Sequence, residues 1–408
     1  MTAETCDNAY HDFSPHYNWC EKLMQKQLGL FGKGIVLIIL VSLPILILIR
    51  NFSPQSGFTK LIFFGQKFEH TRLKEINELA PPTESKWGYD GQFYAQLAIN
   101  PSLTRNDLEI ALDNPVYRAK RIGMAVLAFC LGFGKPAWIL QVYALLNFAF
   151  WLTLLAALYY FVGIKNYRDF LLAISLLWTT GTLTSLARAL TDLPAAVLSL
   201  LAVFSNSRYV GSSFLGMAAL FRETSVLSFF SIMWLDQKQK TVWRQLLAYG
   251  LIMTLPIMIW ILYVNSRMNA GEALGISNFS FPFLATLQKL YNSVREVLLG
   301  FPNCTIHSRV YLVFELICPL SLIIQSAYFF IKPRTNSKMW RLGIGFAILL
   351  FCLGGSIWVE QLGYLRSVLL LTICFNLLIH EYERGAAYYS WYISGNIGMF
   401  YMCLVSVG

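Results

Sequence analysis

Apolar runs, many of them about 18 to 28 residues long, recur along this chain from position 34 onward, and a helix needs only about 20 such residues to cross the hydrocarbon of a bilayer. Among its 408 residues, 56% are hydrophobic and 13% charged, an apolar excess that no water-soluble interior of this size could hold. The ten-residue alternation of a membrane barrel is missing. An all-α, polytopic transmembrane bundle is therefore expected.

The runs predict spans at 34–49, 121–134, 137–163, 169–189, 192–205, 209–235, 246–264, 308–331, 341–358, 364–380 and 387–407, which makes about 11 to 13 crossings, given that several lengths are ambiguous. Residues 1–33 show no Arg-rich start and no small-residue cleavage site, so the first run reads as a retained anchor. Lys22, Lys26 and Lys33 favour a cytoplasmic N-terminal segment. The remainder, 34–408, reads as one membrane domain.

Two short basic loops, Asp236–Lys240 with Arg244 and Lys332–Arg334 with Lys338 and Arg341, are expected on the cytoplasmic side. The loop 51–116, the segment 266–307 and the Glu360–Arg366 turn then fall outside. Lys165–Arg168 lies outside if 137–163 is one helix and inside if it is two. The first outer loop is far longer than the median of about 4 to 6 residues, and loops of that length are usually functional.

The net charge of +10 is spread over short loops and not gathered on one face, so no nucleic-acid partner is expected. Eight cysteines and five histidines have no metal-site spacing. No cofactor is expected; Glu84, Asp107, Glu109 and Asp113 are too loosely spaced for a divalent metal to be assigned. Sequons stand at Asn51, Asn278 and Asn303.

A charge at the centre of a span costs about 2.5 to 3.5 kcal/mol and needs a partner or a wet cavity. Arg118 and Arg121, three apart, share a helical face and could hold a phosphate or snorkel to headgroups. Arg188 and Asp192, four apart, could pair with each other, although Pro194 marks a break. The side chains of Arg222 and Glu223 diverge by about 100° on a helix and must find separate partners. Glu360 and Arg366 bracket a turn. Asp90 heads a stretch with Tyr94, Leu97 and Ala98 on one side and Gln92 and Gln96 on another, an interfacial amphipathic pattern. There an aspartate can cap the helix, act as a base, or do both.

The segment Trp87-Gly88-Tyr89-Asp90-Gly91-Gln92-Phe93-Tyr94, followed by Ala95-Gln96-Leu97-Ala98, resembles the first-loop motif of the GT-C glycosyltransferases of bacterial cell-surface glycopolymers. It is more distantly similar to dolichol-phosphate-mannose-dependent mannosyltransferases. Leu112-Asp113-Asn114-Pro115-Val116-Tyr117-Arg118 also looks like that bacterial group, Arg222-Glu223-Thr224 resembles its mid-sequence basic element, and Tyr364-Leu365-Arg366 is similar to a late motif. These motifs cover about a tenth of the chain; the remaining similarity is one of span layout.

The resemblance implies an integral enzyme of a bacterial plasma membrane. It would move a sugar with inversion from a polyprenyl-phosphate donor to a lipid-linked or cell-surface glycan on the extracytoplasmic side. Asp90 would accept the proton of the attacking hydroxyl, and Arg118, Arg121, Arg222 and Arg366 would receive the departing phosphate. Tyr89, Gln92, Arg188, Asp192, Glu223 and Glu360 complete the candidate substrate-binding set. Many members carry a soluble C-terminal domain, whereas here a span is expected at the end of the chain, so acceptor recognition would fall to 51–116 and 266–307. Two other classes stay open: a lipid-linked glycan flippase or solute transporter, disfavoured by the lack of internal duplication, and an assembly subunit whose charges only join helices.

Overall fold

The computed structural model describes residues 29–232, 243–268, 278–300, 306–401 and 403. The predictions for Lys22 and Lys26, the Asp236–Lys240 loop, the Asn303 sequon and the end of the last span lie outside them. Among the described residues the chain is all-helical, without a strand. Its α-helices are α1 (Leu30–Asn51), α2 (Lys74–Leu79), α3 (Gly91–Ile99), α4 (Asp107–Ala111), α5 (Pro115–Ala119), α6 (Gly123–Leu131), α7 (Pro136–Phe161), α8 (Tyr167–Leu177), α9 (Thr180–Arg188) and α10 (Asp192–Phe204). There follow α11 (Arg208–Phe221), α12 (Trp243–Arg267), α13 (Leu284–Gly300), α14 (Ile306–Ile331), α15 (Lys338–Cys352), α16 (Gly355–Trp358), α17 (Gln361–Ser367), α18 (Leu369–Tyr382) and α19 (Gly385–Asn396).

Four of these, α1, α7, α12 and α14, contain stretches long and apolar enough to cross a membrane, and α8 with α9 makes a fifth if the pair, bent by 46°, is one span. The expected 11 to 13 crossings are not reproduced at that length. With 13, 14 and 14 residues, α10, α11 and α18 reach about 20 Å against a hydrocarbon core of about 30 Å. The run 209–235 breaks at Arg222, where α11 gives way to a 3-10 segment over Glu223–Ser231. The run 364–380 breaks at Val368, just after Arg366. A guanidinium has five donors to satisfy, and a helix facing lipid offers none of the acceptors. At Leu353 the run 341–358 breaks as well, and the carbonyls of Phe351 and Cys352 are taken by the N–H groups of Phe283 and Ser280, which draws the 278–283 strand of chain against the end of α15.

The ambiguous stretch 137–163 is one helix, α7, of 26 residues. Lys165–Arg168 nevertheless shares an end of the bundle with the basic Lys332–Arg334 turn. Arg168 donates to the carbonyls of Ile379, His380 and Glu383, Lys332 pairs with Glu383 at 2.7 Å, and Lys338 reaches the Val203 carbonyl. Parity is kept because α6 has only nine residues, about 13 Å, and doubles back onto α7 through the Gly132–Lys135 turn, where Phe133 and Gly134 take positive φ. From the basic end α8 with α9, α11 and α15 rise toward the level at which α10 and α18 begin. Asp192, Arg222 and Arg366 sit there.

The first loop folds into a compact unit over that level. Leu61, Ile62, Phe64, Leu73 and Ile76 are buried, and so are all nine residues of α3. This corrects the interfacial helix expected from the amphipathic pattern. Burial is tolerable because Gln96, on the supposed wet side, accepts from Leu73 N–H at 2.9 Å and donates to the Ala111 carbonyl at 2.7 Å, so its amide is not left unsatisfied.

Candidate functional site

Asp90 is held by a tightly drawn loop. Gly88 takes φ +68°, and a Cβ on Gly65 would come within 2.2 Å of the Trp87 backbone carbonyl carbon. Gln92 locks the crossing: Gly65 N–H donates to its Oε1 at 3.0 Å, and its Nε2 donates to the Trp87 carbonyl at 2.9 Å. Both ends of the Gln92 amide, a predicted substrate contact, are thus spent on the loop. Gly91 brings the start of α3 against the end of α9, where an added Cβ would lie 2.2 Å from the Arg188 carbonyl oxygen. Neither backbone can yield cheaply. Gly91→Ala is expected to destabilise the protein by about 1 to 3 kcal/mol and to displace the Asp90 carboxylate, measurable as a lowered thermal midpoint of the purified variant.

The Asp90 side chain makes no cap bond, and its own backbone is helical. A capping aspartate has extended backbone and bonds the N–H two or three residues on, so helix capping does not explain this residue. Its carboxylate turns instead to Arg118 on α5, at 2.9 Å, and to Arg366 on α17. Arg118 is shared with Asp113 at 2.7 Å. Arg366 is shared with Asp192 at 3.2 Å, and Asp192 also pairs with Arg222. Arg222 in turn donates to Ser367 Oγ at 3.0 Å. Segments from four regions of the sequence thus meet in one alternating chain of charge.

A second pair lies beside it. Arg121 makes a two-pronged bond to Glu223, at 2.8 and 2.7 Å, and donates to the Tyr94 and Tyr117 hydroxyls at 3.0 and 2.7 Å. Tyr94 also receives Arg118 at 3.4 Å, so this buried phenol joins the two arginines. Burial pushes the Asp90 carboxyl pKa upward, but the charges of Arg118 and Arg366 outweigh it and hold the group well below the usual carboxylate range. The Asp90 carboxyl is ionised at neutral pH.

No family model, no curated protein and no solved structure matches this chain.

Beside the network a cavity of about 370 Å³ opens. Arg121, Arg222, Glu223 and Ser367 form its polar end, and Ile261, Phe279, Leu349, Leu353 and Ile357 supply apolar wall. The Asp90 side chain keeps 21% of its surface exposed, so the carboxylate is not sealed behind its arginines. A second cavity, of about 380 Å³, is lined by Gln288, Lys289, Asn292, Glu296 and Trp358 among others. Its Trp358 follows Ile357 of the first cavity in the chain, and the Trp358 ring lies 4.7 Å from that of Tyr364, two residues before Arg366.

Of the predicted set, Asp90, Arg118, Arg121, Asp192, Arg222, Glu223 and Arg366 are brought together. The Tyr89 ring lies 5.2 Å from the Arg366 guanidinium, and Glu360 is exposed at the start of α17. Arg188 and Asp192 do not pair: α9 ends at Arg188, Ala189 takes left-handed φ, and the spacing of four no longer aligns the two side chains. Arg188 instead lies over the Phe63 ring at 3.4 Å. Tyr94, Asp113, Tyr117 and Ser367 had been given no role in the network. Asp113 and Tyr117 stand in the Leu112–Arg118 motif, which was the available signal; Tyr94 looked like plain apolar surface.

Proposed function

We propose that this protein is an integral-membrane inverting glycosyltransferase that takes a sugar from a polyprenyl-phosphate donor and gives it to a lipid-linked or cell-surface glycan. One observation carries the reading: an ionised aspartate, freed from any capping duty, is held by two arginines next to an arginine-ended, apolar-walled cavity. A polyprenyl phosphate combines those two chemistries in one molecule. Its hydrocarbon suits the Ile261, Phe279 and Leu349 wall, and its phosphate suits Arg121 and Arg222.

In the reaction Asp90 takes the proton of the acceptor hydroxyl as that oxygen bonds to the anomeric carbon. The bond from that carbon to the donor phosphate breaks on the opposite side, and the electron pair leaves with the phosphate oxygen, which the arginines stabilise. An aspartate with so low a pKa is a weak base at rest. Arrival of a donor phosphate at Arg222 would draw that arginine from Asp192, and Asp192 would then compete with Asp90 for Arg366, loosening one ion pair of Asp90 and raising its basicity, which couples proton transfer to donor binding. The second cavity, with its amides and its indole, is the place for the acceptor sugar. In this reading the basic end of the bundle faces the cytosol and the site faces the outer leaflet, in a multi-pass protein whose half-length helices complete a shared enclosure.

Helices that end part-way through a bundle at a charged cluster are also a device of transporters. Incubation of the purified protein with a radiolabelled polyprenyl-phosphate sugar and a glycolipid acceptor separates the two. Label is expected to pass to the acceptor in detergent, where no compartment exists to transport across. Failure to transfer label from any of a panel of donors, together with its passage across vesicle membranes, would establish transport instead.

A further inference from the structure

The helix α13 is turned inside out for a chain in water. Leu284, Leu287, Tyr291, Val294 and Leu298, spaced three and four apart and so along one face, are between 43% and 71% exposed. Gln288, Lys289, Asn292 and Glu296 line the second cavity instead. Lys289 is paired there with the buried Glu315 of α14, and Ser293 Oγ donates to the Glu315 carbonyl at 2.9 Å. A helix at the surface of a water-soluble protein places these two classes the other way round. An apolar medium makes the observed order favourable, since there the polar groups must turn inward to find partners.

The height of α13 in the bundle agrees with that medium. α12 before it and α14 after it both hold stretches able to cross a membrane. From Ile331, at the basic end, to Glu315 is about 24 Å along α14, within a hydrocarbon core of about 30 Å. With the basic end in the cytosol, the part of α13 that packs on Glu315 stands among the acyl chains of the outer leaflet. Arg295, exposed beyond that contact, has the length to carry its charge to the headgroups. The cavity behind α13 then opens into lipid: Tyr311 and Val359 line it and stay exposed, which gives a polar interior an apolar mouth.

We propose that α13 is seated in the outer leaflet and that the acceptor is a lipid-anchored glycan, which enters the second cavity sideways from the bilayer. This rests on the transferase reading and narrows it: an amphiphile with a sugar head matches both the polar interior and the apolar mouth, whereas a glycan reaching in from water has no use for the second.

The test uses the full chain in phosphatidylcholine vesicles and has two readouts. A benzophenone amino acid is placed at Leu287, at Leu298 or, as a water-facing control, at Lys74 of the first loop, whose side chain is 86% exposed. Irradiation is expected to give phosphatidylcholine adducts at the first two positions and none at the third. Transfer from a labelled polyprenyl-phosphate sugar is then compared between a panel of glycosyl diacylglycerols and polyprenyl-diphosphate glycans in the vesicles and the same glycans freed of lipid. The freed forms are expected to be poorer by about tenfold or more in kcat/KM, because anchoring raises the acceptor's effective concentration at the mouth. No lipid adduct on α13, adducts to a second copy of the chain in its place, or equal use of the freed glycans would overturn the proposal. Lipid adducts on α13 with transfer to neither form of the panel would overturn the transferase reading, and the acceptor assignment with it, while the seat of α13 in lipid stood.

Discussion

Asp90→Asn is expected to lower the rate of sugar transfer by about 10² to 10⁴-fold, the usual contribution of a positioned general base, while the protein remains folded. The substitution removes the proton acceptor and preserves the shape. Neither arginine is stranded by it, since Arg118 keeps Asp113 and Arg366 keeps Asp192, so the stability loss stays well below that of a fully broken buried pair. The measurement is turnover of labelled donor by the variant, alongside its thermal midpoint. Near-normal transfer by well-folded Asp90→Asn protein would remove this carboxylate from the chemistry.

The pH dependence has a definite sign. The folded pKa of Asp90 is depressed, so its contribution to stability is complete above the unfolded value of about 3.9 and fades only as pH falls toward the lower folded value. Between pH 5 and 8, as an order-of-magnitude window, no loss of fold from protonation of this group is expected. Unfolding by acid with a midpoint inside that window would mean that the two ion pairs are not formed in solution.

Asp192→Ala is expected to cost about 3 to 5 kcal/mol of stability, the range for breaking a buried ion pair from one side. Its side chain is 1% exposed and serves both Arg222 and Arg366. Among the described residues Arg222 forms an ion pair with no other acid; Ser367 and Thr224 give only neutral oxygens. Against total stabilities of about 5 to 15 kcal/mol, this loss should appear as a sharp fall in the yield of monodisperse protein and in its thermal midpoint. A variant as stable as wild type but without transfer would place Asp192 among the groups that act on substrate and not among those that hold the site together.

The helical class, the long apolar runs and the need of the isolated charges for partners were legible from the chain alone because each is a local property. Hydropathy over about 20 residues reports a bilayer-length helix, and an intramembrane charge announces its need for a partner whatever the fold. The number of full-length helices was not legible. A window of apolar residues does not say whether Arg222 or Val368 ends a helix half-way, because that depends on whether an acid from another segment waits there.

Tertiary structure alone decided the pairings. Arg188 and Asp192 are neighbours in sequence, yet the left-handed turn at Ala189 separates them, and Asp192 finds Arg366, 174 residues away. Asp90 finds an arginine 276 residues away. Gln92 and Gln96 look like the wet face of an interfacial helix until the loop backbone that consumes their amides is in place. The sequence dictates which groups cannot stay alone in an apolar medium; only packing, which sets distances between segments far apart in the chain, determines who satisfies them.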